Sequence, residues 1–116
     1  MKLAATITSV VALAVVAAAQ AAASPQKVAW ERFRAWTVAI AVYREDNGTY
    51  VGMTRAKLAK WDAGVLAYPV QIGWATKTRY CLETTVAGRS FHQVGPASRP
   101  ITSASVGAPA GKCPRR

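Results

Sequence analysis

The chain has 116 residues, with 15 Lys and Arg against 5 Asp and Glu for a formal net charge of +10, one His and two Cys. That length holds one domain and excludes a multi-domain enzyme. One His and two Cys cannot supply the four ligands of a structural zinc, and we expect no catalytic chemistry and no cofactor.

Residues 1–23 hold 18 apolar side chains and 5 others, and Lys2 is their only charge. One Lys, an uncharged run from Leu3, a densest stretch from Val10 to Ala19 and then Ala21-Ala22-Ala23-Ser24 follow the plan of an export signal with a small-residue cut site. Cleavage after Ala23 leaves one domain, residues 24–116, carrying +9 once Lys2 is removed. The other reading keeps residues 3–23 as a membrane anchor, since 21 residues at about 1.5 Å each match a bilayer's hydrocarbon core. The reliance on Ala, with Thr6, Thr8, Ser9 and Gln20 in the run, favours cleavage. Either way the domain is exported, to the medium or the cell surface. There Cys81 and Cys113, which have only each other as intramolecular partners, can pair. Closing that loop contributes roughly 3 to 4 kcal/mol on the chain-entropy model.

Ser24-Pro25 is a helix start: the hydroxyl caps, and Pro at the first position wastes no N–H. Ala29, Phe33, Trp36, Ile40 and Tyr43 recur at helical spacing, which predicts a helix from about Gln26 to Arg44 with those residues inward. Asp46-Asn47-Gly48 ends it with residues that accept left-handed backbone angles. Asn47-Gly48-Thr49 also fits a glycosylation pattern, but we read it as the turn. The helix's second half, Ala35 to Tyr43, has Thr37 as its only polar residue, and Val38 and Val42 lie roughly opposite the Phe33 and Ile40 line. An all-round apolar helix is covered on both sides. The second cover is either the domain itself or another subunit, which makes Ala35, Val38 and Val42 candidate interface residues.

Thr54 caps a short helix, Arg55 to Trp61, that Gly64 stops. Beyond Pro69 the period becomes two. Val70, Ile72 and Trp74 alternate with Gln71 and Gly73, and Tyr80, Leu82, Thr84 and Val86 alternate with Cys81, Glu83 and Thr85. Ala87-Gly88 is a two-residue turn into a return strand from Arg89 to Val94, which sets Thr84 opposite Phe91 and Glu83 opposite His92. A three-residue loop, Thr76 to Thr78, places Ile72 and Trp74 opposite Leu82 and Tyr80 on the same core face. From Gly95 onward the chain is rich in Pro and Gly. It reads as an irregular tail held by Cys113, with Pro114-Arg115-Arg116 fraying.

The expected fold is therefore α+β: a long N-terminal helix on a three-stranded antiparallel meander, a short second helix, and an irregular C-terminal tail closed by one disulfide. Glu83 and His92 are cross-strand neighbours, but no Ser or Cys nucleophile is placed beside them, so they read as an ordinary polar pair. Trp74 beside Arg79 reads as a ring with a guanidinium near it. The charge carries more functional content. Arg55, Lys57 and Lys60 share the short helix, Lys77 and Arg79 flank a hairpin end, and Lys112, Arg115 and Arg116 crowd the C-terminus. These are candidate anion-binding residues for nucleic acid or another polyanion, with exposed Trp61 able to stack on bases.

The order of elements carries a resemblance. Tyr43 ahead of Asp46-Asn47-Gly48-Thr49-Tyr50, then Gly52-Met53-Thr54, Tyr80-Cys81-Leu82-Glu83 and a late Cys113 resemble the globular head of type IV pilins and the related pseudopilins. The resemblance runs from about Trp30 to Pro114. It implies a structural role in a surface fibre, a pseudopilus or a DNA-uptake or secretion system, with other pilin-like subunits as partners. It also implies that Cys81 and Cys113 staple the last strand region to the tail. Residues 1–23 have no Gly, Phe or Glu, so the prepilin processing motif is missing. The first reading is a head that has exchanged its assembly helix for an ordinary export signal. The second is a degenerate assembly helix kinked at Pro25, and only in that case is a membrane a partner.

Overall fold

The computed structural model describes residues 24–96 and 107–116. The expected signal or anchor, residues 1–23, lies outside the described residues, as does the part of the tail between Pro96 and Gly107.

Helix α1 spans Pro25–Asn47. Ser24 caps it with an extended backbone, and its Oγ accepts from the Lys27 N–H at 3.2 Å. Gly48 stops it in the left-handed region at φ 71°, its N–H returning to the Arg44 carbonyl, a conformation glycine adopts without a Cβ penalty. The helix is three residues longer at its C-terminus than its apolar periodicity implies. Ala29, Phe33, Trp36, Ile40 and Tyr43 are all buried, joined by Trp30 and Ala39. Burying each large side chain among them stabilises the fold by roughly 1.5–3 kcal/mol.

The connection to the second helix is closed by the Tyr43 hydroxyl, which donates to the Val51 carbonyl at 3.0 Å. Helix α2 spans Arg55–Ala59, with Thr54 Oγ1 accepting from Lys57 N–H and Leu58 buried. It ends at Ala59, earlier than Trp61, and Gly64 is not its stop. Asp62 turns its carboxylate onto the Gly64 N–H at 2.9 Å and caps a 3-10 helix, Ala63–Ala67. Asp62 thus starts the 3-10 helix three residues after α2 has ended, the side-chain acceptor taking a backbone donor that a continued helix would use. The indole N–H of buried Trp36 donates to the Tyr68 carbonyl at 3.2 Å and ties this exit to α1.

The sheet is antiparallel in the order β1 (Gln71–Ala75), β2 (Tyr80–Val86), β3 (Arg89–Gly95). Ala87 and Gly88 turn the second hairpin with φ 52° and 77°, and the register sets Thr84 opposite Phe91 and Glu83 opposite His92, as expected. Leu82, Thr84 and Phe91 are buried. The first hairpin departs from expectation after Ile72, which does face Leu82. An irregularity at Gly73 then moves Trp74 opposite Cys81 and Ala75 opposite Tyr80. The loop is thus four residues, Thr76 to Arg79, and Trp74 does not share Ile72's register with the core-facing residues.

The cause lies in the tail. A Cβ at position 73 would stand 2.6 Å from Cys113 Sγ, so only glycine lets the two chains pass. The tail begins against α1, where Gln26 Nε2 donates to the Ala108 carbonyl at 3.0 Å. It then runs along the free edge of β3: His92 N–H donates to Pro109 O and Gly111 N–H to Ser90 O. Finally it crosses the sheet to the Cys81–Cys113 disulfide and to Pro114, whose carbonyl accepts from Trp74 Nε1 at 2.7 Å. Pro114 is therefore held, and does not fray.

Candidate functional site

Glu83 and His92 face one another in register, but each grips the tail. Glu83 accepts from the Cys113 N–H at 2.7 Å, and His92 Nδ1 lies 3.1 Å from the Gly111 carbonyl. A carboxylate and an imidazole committed to backbone groups position a strap. Among the described residues no cluster of three His, Cys, Asp or Glu side chains can hold a metal ion, and no helix is long and apolar enough to cross a membrane.

The candidate interface on α1 divides by exposure. Val38 is 65% exposed in the middle of the helix, while Ala35 and Val42 are half-buried. Ala35, Val38 and Tyr68 line a shallow groove with Glu31 and Arg34 at its rim. Tyr68 and Leu66, 39% and 53% exposed, belong to the segment that follows α2. The sequence did not mark them as surface residues; their only signal was two apolar residues beside a proline, without periodicity.

The eight candidate anion-binding residues fall into three places. Lys57 and Lys60 border a groove with Tyr43, Asp46, Asn47 and exposed Trp61, so an acid sits among them. Arg55 turns the other way, its Nη2 donating to the Leu66 carbonyl at 2.5 Å. The remaining five are drawn toward one corner by the tail. Arg79 stands over the Trp74 ring, 5.6 Å from its centre, and the same indole holds Pro114, which Arg115 and Arg116 follow. Lys77 lies in the same turn as Arg79, and Lys112 precedes the disulfide. All five are exposed, and sequence spacing alone left them as two separate groups.

Fold and surface together define a single-disulfide α+β domain of helix-on-meander architecture, with Val38 exposed on the outer side of α1 and a basic corner. Compared with family models, curated proteins and solved structures, the chain matches none of them.

Proposed function

We propose that this domain is a non-enzymatic, exported, pilin-like component that works by contact, as a minor structural or interaction subunit of a surface fibre, pseudopilus or DNA-uptake or secretion system. The observation that carries the reading is Val38, a large aliphatic side chain 65% exposed on the outer face of α1. A large aliphatic side chain at mid-helix, beside half-buried Ala35 and exposed Tyr68, favours a covering partner. The order of elements and the Cys-held tail agree with a pilin head. Residues 1–23 act as the export signal in this reading. The Cys81–Cys113 disulfide is compatible with an oxidising compartment.

The test is a photo-crosslinking amino acid at Val38 in the native host. Crosslinks to another envelope or fibre subunit, absent when the probe replaces exposed Thr78, support the proposal; a protein that stays uncrosslinked at both positions refutes it. N-terminal sequencing and intact mass from membrane and medium fractions test the export reading, with a chain beginning at Ser24 as the expected result.

The basic corner supports a second reading, a secreted module for a polyanion such as DNA. Retention on a DNA column should then fall steeply with salt. Lys77→Glu with Arg79→Glu should abolish it.

A further inference from the structure

We propose that the groove between α2, the start of β1 and β2 is an oxyanion site, built for a phosphate- or carboxylate-bearing group held by Arg55, with Arg32, bonded to the Thr84 and Thr85 wall, as a second cation beside it. It is separate from both surfaces assigned above. The groove has a volume of about 230 Å³ and is lined by Arg55, Pro69, Val70, Gln71, Thr84 and Thr85. A water takes up roughly 30 Å³, so an anion with part of its parent molecule fits.

Arg32 reaches this wall from α1. Its Nη1 donates to Thr84 Oγ1 at 2.9 Å and to the Thr85 carbonyl at 3.0 Å. Thr84 is 4% exposed, and its hydroxyl donates to the Pro69 carbonyl at 2.6 Å. The hydroxyl proton is thus committed, and the oxygen is left to accept from Arg32. Arg55 is anchored from the opposite side through Nη2 on the Leu66 carbonyl. Both guanidiniums are held by neutral acceptors, which orient them without cancelling their charge. Among the described residues no other hydrogen bond engages Nε or the second Nη of either, which leaves them to meet a ligand.

Among the described residues the lining offers hydroxyl, amide and guanidinium groups and no acid, which selects an anion. Planar guanidinium forks match the paired oxygens of phosphate and carboxylate. Sequence reading grouped Arg55 with Lys57 and Lys60 and did not single out Arg32. The tertiary structure separates the first group and brings Arg32 to the groove wall.

The experiment is an NMR titration of the ¹⁵N-labelled full chain with inorganic phosphate and, separately, acetate, at ionic strength held constant with chloride. Saturable shifts are expected at Arg32 and Arg55 Nε and at the amides of Gln71 and Thr85. Arg32→Gln also removes the anchor to Thr84, so Arg55→Gln, which loses only a surface contact, is the deciding variant. It should weaken binding about tenfold or more, while Lys77→Gln with Arg79→Gln leaves it unchanged. Tighter phosphate binding identifies a phosphoryl ligand and tighter acetate binding a carboxylate, and either supports the site. Failure of both anions to saturate, Arg55→Gln binding like the parent, or shifts confined to Lys77, Arg79 and the tail overturns it.

Discussion

Ala87 is the one non-glycine residue with positive φ among the described residues, at 52°. Both central positions of this tight hairpin turn need left-handed angles, which Gly88 takes freely and Ala87 takes against its Cβ. Ala87→Asn should raise stability by about 0.5–1 kcal/mol, read as a higher urea midpoint with an unchanged slope. Tyr80 makes a different kind of statement. Its ring packs edge-on to Tyr50 at 4.9 Å. Burial, with Tyr50 as a smaller cause, pushes its phenol up to about 12 from 10.0. The native state therefore holds the phenolic proton more tightly than the unfolded chain does. Its contribution is intact below pH 10, where the unfolded phenol is still protonated, and is lost as pH rises from 10 toward 12. The expected slope is about 1.4 kcal/mol per pH unit for one group. Denaturant midpoints across that range should show it, and Tyr80→Phe should remove it.

At the scale of elements, β1 is shaped by what passes behind it. Gly73→Ala puts a methyl group against Cys113 Sγ and should cost roughly 1–3 kcal/mol, the usual toll of overpacking. The same substitution in a Cys81→Ser, Cys113→Ala background should cost much less, and a double-mutant cycle on thermal unfolding measures that coupling. Helix α1 shows the opposite relation between pattern and structure. Ser24, Pro25, Gly48 and the inward line from Ala29 to Tyr43 were legible because capping and 3.6-residue periodicity act within a few neighbouring residues. Its outer face was not. Val38 and Val42 look alike in sequence, yet Val38 is exposed and Val42 half-buried, because what covers a helix face arrives from elsewhere in the chain.

For the whole molecule, the tail is the member that joins parts distant in sequence. It touches α1 at Gln26, β3 at Ser90 and His92, β2 at Glu83 and Cys81, and β1 at Trp74. The Cys81–Cys113 crosslink spans 32 residues, and Cys113→Ser with Cys81→Ser should lower stability by about 3–4 kcal/mol. Differential scanning calorimetry with and without reductant checks this: the parent should lose Tm on reduction, and the double variant should not respond. The five cations of the basic corner should also move apart in the reduced chain. Any DNA retention should weaken with the loss of the strap as well as with salt.

The amino-acid order by itself determined the α+β class, the boundaries of α1 to within a few residues, the Ala87-Gly88 hairpin with its register, and the pairing of the two cysteines. Each depends on local sterics, short-range periodicity or simple elimination. Only the tertiary structure decided the shift of Trp74, the 3-10 helix after Asp62, the work of Glu83 and His92 as anchors, and the sorting of eight cations into three places. Those outcomes turn on which distant groups meet: the Cys113 side chain passes where a Cβ at position 73 would stand, and the Pro114 carbonyl lies 2.7 Å from Trp74 Nε1. The Arg55 groove belongs with them: Arg32, 23 residues earlier in the chain, bonds to the Thr84 that lines it, while the Leu66 carbonyl anchors Arg55.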